Sequence, residues 1–151
     1  MRNPSELQGT EPTAEDRVLL DAARDIRARA YAPYSGFFVG AAVRTTEGAV
    51  YVGTNMENAS FPVGVCAEVV ALAAANTAGD RGLESIAIVA EGDTPAFPCG
   101  ACRQAINEFN PDARVVVAGH TGKGRVVSIR ELLPGAFVPS DLLDSAPGRE
   151  G

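Results

Sequence analysis

The chain of 151 residues has three cysteines, and all of them fall in two short motifs. One is Cys66-Ala67-Glu68; the other is Pro98-Cys99-Gly100-Ala101-Cys102. Cysteines outside an oxidising compartment read as metal or catalytic ligands more readily than as disulfides. If all three hold one ion, two segments far apart in sequence must fold against each other. No other feature constrains the fold as strongly. An apolar helical pattern follows each motif, so two helix N-termini converge on the ion. Their partial positive charge favours thiolate over thiol. Cys99 and Cys102 lie three apart, on one face of a helix. Three thiolates suit zinc, one ion per subunit, and leave the fourth position open, as in catalytic rather than structural zinc sites. Glu68 diverges from Cys66 by roughly 200° around the helix. It is therefore poorly placed to ligate beside Cys66, but can approach the open side as a proton carrier. Two blander readings compete: a structural zinc that recruits His120 or an acid, and three buried thiols without a metal. Glu68 and Pro98, which complete the pattern, favour the catalytic one. His120 lies in the glycine-rich stretch Gly119–Gly124, which reads as a solvent-facing connection between strands. It lacks the Lys-Ser/Thr ending of a phosphate loop.

The length suits one domain with a sizeable core. Residues 1–12 are polar and expected to be a disordered tail, with a single domain over 13–151. The net charge of −6 argues against a nucleic-acid partner, whose binding draws on basic contacts, and favours a small uncharged substrate. No apolar run approaches a membrane span, and the acidic, polar N-terminus does not resemble a secretory signal, so the expected location is the cytoplasm. Asn58-Ala59-Ser60 matches a glycosylation sequon that carries no meaning without secretion.

Thr13 to Asp16 reads as a capping box with Asp in place of Glu or Gln, opening a helix that Pro33 ends. Phe37 to Arg44 and Val50 to Asn55 form a predicted hairpin around Glu47-Gly48. Cys66 to Asn76 is apolar on nearly every face and predicts a helix buried on all sides. Ile86 to Ala90 reads as a strand and Cys99 to Phe109 as a helix. Arg114 to Ala118 and Val126 to Ile129 are further strands. Ser128 to Glu131 is a second capping box, opening a short helix that stops at Pro134. This order predicts an α/β domain: a mixed sheet of about five strands sandwiched between helices.

The ligand-x-Glu and Pro-Cys-x-x-Cys motifs together are the signature of zinc nucleobase deaminases. Tyr31-Ala-Pro-Tyr-Ser-Gly-Phe37-Phe-Val-Gly-Ala-Ala42, Asn55-Met-Glu57-Asn-Ala-Ser60, Pro98-Cys-Gly-Ala-Cys-Arg-Gln104 and Leu132-Leu-Pro-Gly-Ala-Phe137 extend the match. From about Asp16 to Leu142 the chain resembles the small, homotetrameric, three-cysteine cytidine deaminases. The resemblance implies a three-layer α/β/α fold and zinc-dependent hydrolysis of cytidine and 2′-deoxycytidine to uridine and 2′-deoxyuridine, with release of ammonia in pyrimidine salvage. Cys66, Cys99 and Cys102 would hold zinc, and Glu68 would carry protons to N3 and to the leaving amine. The Ala67 amide would hold the pyrimidine O2, and Asn55 and Glu57 the ribose 3′-hydroxyl. Phe37 would pack beside the sugar and base, and Phe137 would reach the base from a neighbouring subunit. Ser60 and Phe61 would lie at subunit contacts.

One departure stands out. Most relatives carry arginine directly after the Glu, where it neutralises the thiolates; this chain has Val69. Arg103 and Gln104, beside Cys102, are the candidate replacements, together with the helix dipoles. An apolar residue at this position also occurs in blasticidin S deaminase, so a modified aminonucleoside is the alternative substrate. A deaminase-like binding module without activity is the third reading, disfavoured by Glu68 and the ribose motif.

Overall fold

The computed structural model describes residues 9–143. Strands β1 (Gly40–Thr45) and β2 (Val50–Thr54) form an antiparallel hairpin. β3 (Leu83–Ala90) pairs antiparallel with β1, β4 (Arg114–Gly119) runs parallel to β3, and β5 (Arg125–Ser128) closes antiparallel on β4. The order is β2-β1-β3-β4-β5, a mixed five-stranded sheet as expected. The helices are α1 (Ala14–Arg27), α2 (Ala67–Thr77), α3 (Gly100–Phe109), α4 (Ile129–Leu132) and α5 (Pro139–Leu143).

Strand side chains alternate between faces and so sort the core into two layers. On one face, Leu19, Leu20 and Ala23 of α1 cover Ala42, Ala87, Val89, Val116 and Ala118. On the other, Ala71 and Leu72 of α2, Ile106 of α3 and Ile129 of α4 cover Ala41, Val43, Ile86, Ile88, Val115 and Val117. This is the expected α/β/α sandwich. The Thr13 capping box forms, and its aspartate has a second use. Buried Asp16 accepts from the Thr13 amide at 2.9 Å and from Arg114 of β4 at 2.6 Å, which ties the start of α1 to the sheet. The Ser128 box also forms, at the head of α4.

Several boundaries differ from the sequence reading. α1 ends at Arg27, ahead of Pro33, because Tyr31 is already extended and bridged to Met56. β1 starts at Gly40 rather than Phe37, because the Asn55 side chain takes the Phe37 carbonyl and the Val39 amide that a ladder would use. The 3₁₀ turn Phe61–Val63 and the short α5 carry no periodicity long enough to read. Residues 1–8 of the expected tail and 144–151 lie outside the described residues. Thr10 is not loose: its backbone exchanges two hydrogen bonds with Val126, both 2.9 Å. α2 is not buried all round either. Val69, Val70 and Ala74 are half-buried and Ala73 is exposed, leaving an apolar outer face within one chain.

The inner face of α2 lies directly on β2, and Gly53 permits it. A Cβ there would stand 2.4 Å from the Ala71 amide nitrogen and 2.6 Å from the Ala67 carbonyl oxygen. Both neighbours are backbone and cannot swing aside. Gly53→Ala should lift the first turn of α2 and lower stability by about 1–3 kcal/mol. Denaturant midpoints and zinc content, measured side by side, should both fall.

Candidate active site

Both metal-ligand motifs fold as sequence logic requires. Cys66 is the N-cap of α2 and Cys99 the N-cap of α3, each with extended backbone and no side-chain capping bond. Ser, Thr, Asp or Asn in these places would turn back onto the helix amides. Cysteine leaves its sulfur free to point outward, while the unpaired amides of two first turns face the same region. Cys102 lies one turn into α3 and is fully buried; Cys66 and Cys99 are exposed. The three sulfurs lie within 4.8 Å of one another, with Cys99 and Cys102 3.5 Å apart. A tetrahedral zinc with bonds of about 2.3 Å needs sulfurs about 3.8 Å apart.

The electrostatics point the same way. Hydrogen bonding from Cys102 draws the Cys66 thiol down to about 7. Cys102 itself is pushed far up, first by its bond to Cys66 and then by burial. Crowded sulfurs of this kind push one another's ionisation in opposite directions, and metal binding to thiols requires their deprotonation. Cys66, Cys99 and Cys102 fit zinc, and zinc is the cofactor this cluster is built for.

Glu68 sits in the first turn of α2, 5% exposed, beside the sulfurs. Burial is the largest influence on its carboxyl and raises its pKa; its own amide and the Cys102 thiol oppose that. A buried carboxyl beside the sulfurs, its pKa raised by burial, is suited to accept and return a proton. Ala67 is fully buried at the first helical position, where its amide has no partner within the helix.

Asn55 and Glu57 reach the site through a small ladder. Tyr31 bridges Met56, and Met56 bridges Val65, the residue before Cys66. The Asn55-Met56-Glu57 segment is thereby carried beside Cys66. The structure gives both side chains a task that the sequence did not disclose. Asn55 accepts from the Val39 amide and donates to the Phe37 carbonyl, both at 2.8 Å. Glu57 accepts from the Tyr34 amide at 2.8 Å, the Ser35 amide at 3.2 Å and the Ser35 hydroxyl. The Ser35 hydroxyl and the Tyr34 amide hold its carboxyl below the usual range. Each side chain keeps bonding capacity for a ligand: one N–H of the amide and further lone pairs of the carboxylate. Together they fix the segment that presents Phe37.

Neither phenylalanine is core. Phe37 is 45% exposed and Phe137 58% exposed. A cleft of about 420 Å³ runs beside Glu57, lined also by Tyr34, Ser35, Asn58, Phe61 and Gly64. Phe61 forms one wall and meets Tyr34 edge to face at 5.9 Å. His120 is exposed on the β4–β5 connection, with its carbonyl taken by Arg24, and it is not part of the sulfur cluster.

Arg103 and Gln104, expected as counter-charges to the thiolates, have other partners. Arg103 donates to the carbonyls of Pro98 and Leu132, each at 2.8 Å, and Gln104 donates to the Phe137 carbonyl at 2.9 Å. These bonds run to backbone carbonyls rather than to sulfur. The two helix N-termini add positive potential at the cluster.

A three-thiolate centre flanked by a buried carboxylic acid is the site of a metal-dependent hydrolase. Comparison with known proteins narrows the class. Residues 13–119 match the cytidine and deoxycytidylate deaminase zinc-binding region. A cytidine deaminase of Halalkalibacterium halodurans is 43% identical over 129 residues, covering 85% of this chain and 98% of that protein. One from Mycobacterium tuberculosis is 34% identical over 131 residues, covering 87% and 96%. The crystal structure of cytidine deaminase from Burkholderia pseudomallei superposes with a TM-score of 0.78 at 46% identity, covering 83% of this chain and 100% of that one. The chain belongs to the cytidine and deoxycytidylate deaminase family.

Arg103→Ala should lower stability by roughly 2–3 kcal/mol, because two carbonyls lose a charged donor. Zinc content should stay at one ion per chain, since the guanidinium serves backbone rather than sulfur. Thermal melts with metal analysis of the same samples check this; a stable variant that loses zinc would restore the counter-charge role.

Proposed function

We propose that the chain hydrolyses cytidine and 2′-deoxycytidine to uridine and 2′-deoxyuridine with release of ammonia, a reaction of pyrimidine salvage in the cytoplasm. The observation that carries this reading is the Glu68 carboxyl, buried against three sulfurs that fit zinc. Bound there, zinc supplies Lewis-acid activation of the attacking water. The chain's own groups do the rest. Glu68 takes a proton from that water and delivers it to ring N3. Once the water oxygen has bonded to C4, Glu68 takes that oxygen's second proton and passes it to the exocyclic amine; the C4–N4 bond then breaks, ammonia leaves and the oxygen remains as the C4 carbonyl. The Ala67 amide donates to the pyrimidine O2 and fixes the ring's register. Asn55 and Glu57 use their remaining bonding capacity on the ribose 3′-hydroxyl, and Phe37 packs against sugar and base. A site with such polar groups discriminates against analogues that lack the hydroxyl.

Glu68→Gln should fold and retain zinc while turnover drops by about 10²-fold or more. Chelation of zinc should abolish ammonia release from the unmodified chain, and restored metal should recover it. Parallel assays on cytidine, 2′-deoxycytidine and blasticidin S test the substrate. Selective turnover of blasticidin S would favour the aminonucleoside reading that Val69 raises. Absence of turnover on all three would point to a binding module.

The assembly we infer is a homotetramer with active sites at subunit interfaces. Three observations support it. The outer face of α2 is apolar and uncovered in one chain. Phe61, Val63 and Met56 are exposed beside the cleft, at 75%, 58% and 51%. The Phe137 backbone is held by Gln104 while its ring is 58% exposed, so that aromatic surface is uncovered within one chain. No helix among the described residues is long and apolar enough to cross a membrane. Light scattering on a sizing column should give four times the chain mass of 15.6 kDa. A monomer mass with full activity would sink the interface reading.

A further inference from the structure

The segment from Leu133 to Val138 links α4 to α5 without regular structure. Pro134 has no amide to donate, and Gly135 is left-handed at φ 67°. Phe137 in this segment is more than half exposed, so packing within its own chain does not fix its ring. An aromatic wall set on such a loop is useful only if its backbone is held. Two side chains of α3 do so. Arg103 donates to the Leu132 carbonyl at 2.8 Å, where the segment begins, and Gln104 donates to the Phe137 carbonyl itself at 2.9 Å. Arg103 is also anchored on the Pro98 carbonyl, directly before Cys99. The helix that presents two of the three sulfurs therefore also carries the clamp on the aromatic segment.

We propose that Gln104, supported by Arg103, is a positioning residue for nucleoside binding: its amide fixes Phe137 through the main chain and sets how well the ring meets the base. The inference rests on the reading above that Phe137 faces the base. Gln104 touches neither substrate nor metal in this role. Its loss should therefore weaken binding in ground and transition states alike, which appears in KM rather than kcat.

The test is a double-mutant cycle of Gln104 and Phe137, with steady-state kinetics on cytidine and zinc content for each variant. Phe137→Ala should raise KM about tenfold, the scale of a lost base–aromatic contact. Gln104→Ala should raise KM about fivefold with kcat within about twofold. Gln104→Glu keeps the shape but offers no donor at neutral pH, so it should behave like Gln104→Ala and guards against a packing explanation. In the Phe137→Ala background, Gln104→Ala should add nothing further, the signature of two residues acting on one contact. Independent, multiplying effects on KM would overturn the proposal, as would an unchanged KM in either Gln104 variant or loss of zinc from it. An unchanged KM in Phe137→Ala alone would instead remove the base-facing role of Phe137, and the proposal with it.

Discussion

Three thiolates around one cation repel one another, and the fold is arranged to make that arrangement tolerable. Cys66 and Cys99 each occupy an N-cap, so two helices aim their unpaired amides at the cluster. This solution dictates much else. α2 and α3 must start side by side on one face of the sheet while α1 covers the other. β2 must let α2 settle against its backbone, and Gly53 is the residue that allows it. The proposed proton carrier Glu68 follows at little extra cost, because the second position of α2 is already beside the sulfurs.

The nucleoside side of the site depends on a weaker device. A ladder of isolated bridges joins Tyr31, Met56 and Val65, and two polar side chains complete it. Asn55 and Glu57 spend part of their hydrogen-bonding capacity on the Phe37 and Tyr34 segments. The groups proposed to grip ribose are thus rigidified by the backbone that carries the neighbouring aromatic. A binding site whose polar groups are already oriented loses less freedom on taking its ligand. This double use also explains why β1 begins later than its strand-forming residues suggest.

Much of this was legible in the sequence because it rests on local rules. Capping boxes at Thr13 and Ser128, apolar runs for β3 and β4, and ligand spacing at Cys99 and Cys102 all depend on near neighbours. What was not legible depends on partners distant in sequence. The placement of β1 between β2 and β3 is a long-range pairing. The ends of α1 and β1 are set by bridges and side-chain bonds to residues 55 and 56. Arg103 and Gln104 stand beside Cys102 in sequence, but the fold alone brings them to the carbonyls of Pro98, Leu132 and Phe137.

The absence of arginine at Val69 now has a different meaning. A residue at the third position of α2 lies at the edge of the helix's outer face, and Val69 is half-buried there beside Val70, Ala73 and Ala74. An arginine so placed would need its charge directed inward to the sulfurs; valine instead extends the apolar face. In the proposed assembly that face is covered by another subunit, where a well-packed apolar side chain is favoured over an imperfectly paired charge. The thiolate charge then falls largely to the two helix N-termini that open at Cys66 and Cys99. On this view the substitution exchanges a local counter-charge for interface packing, and the reaction need not change with it, because Glu68 and the three sulfurs keep the same places on α2 and α3.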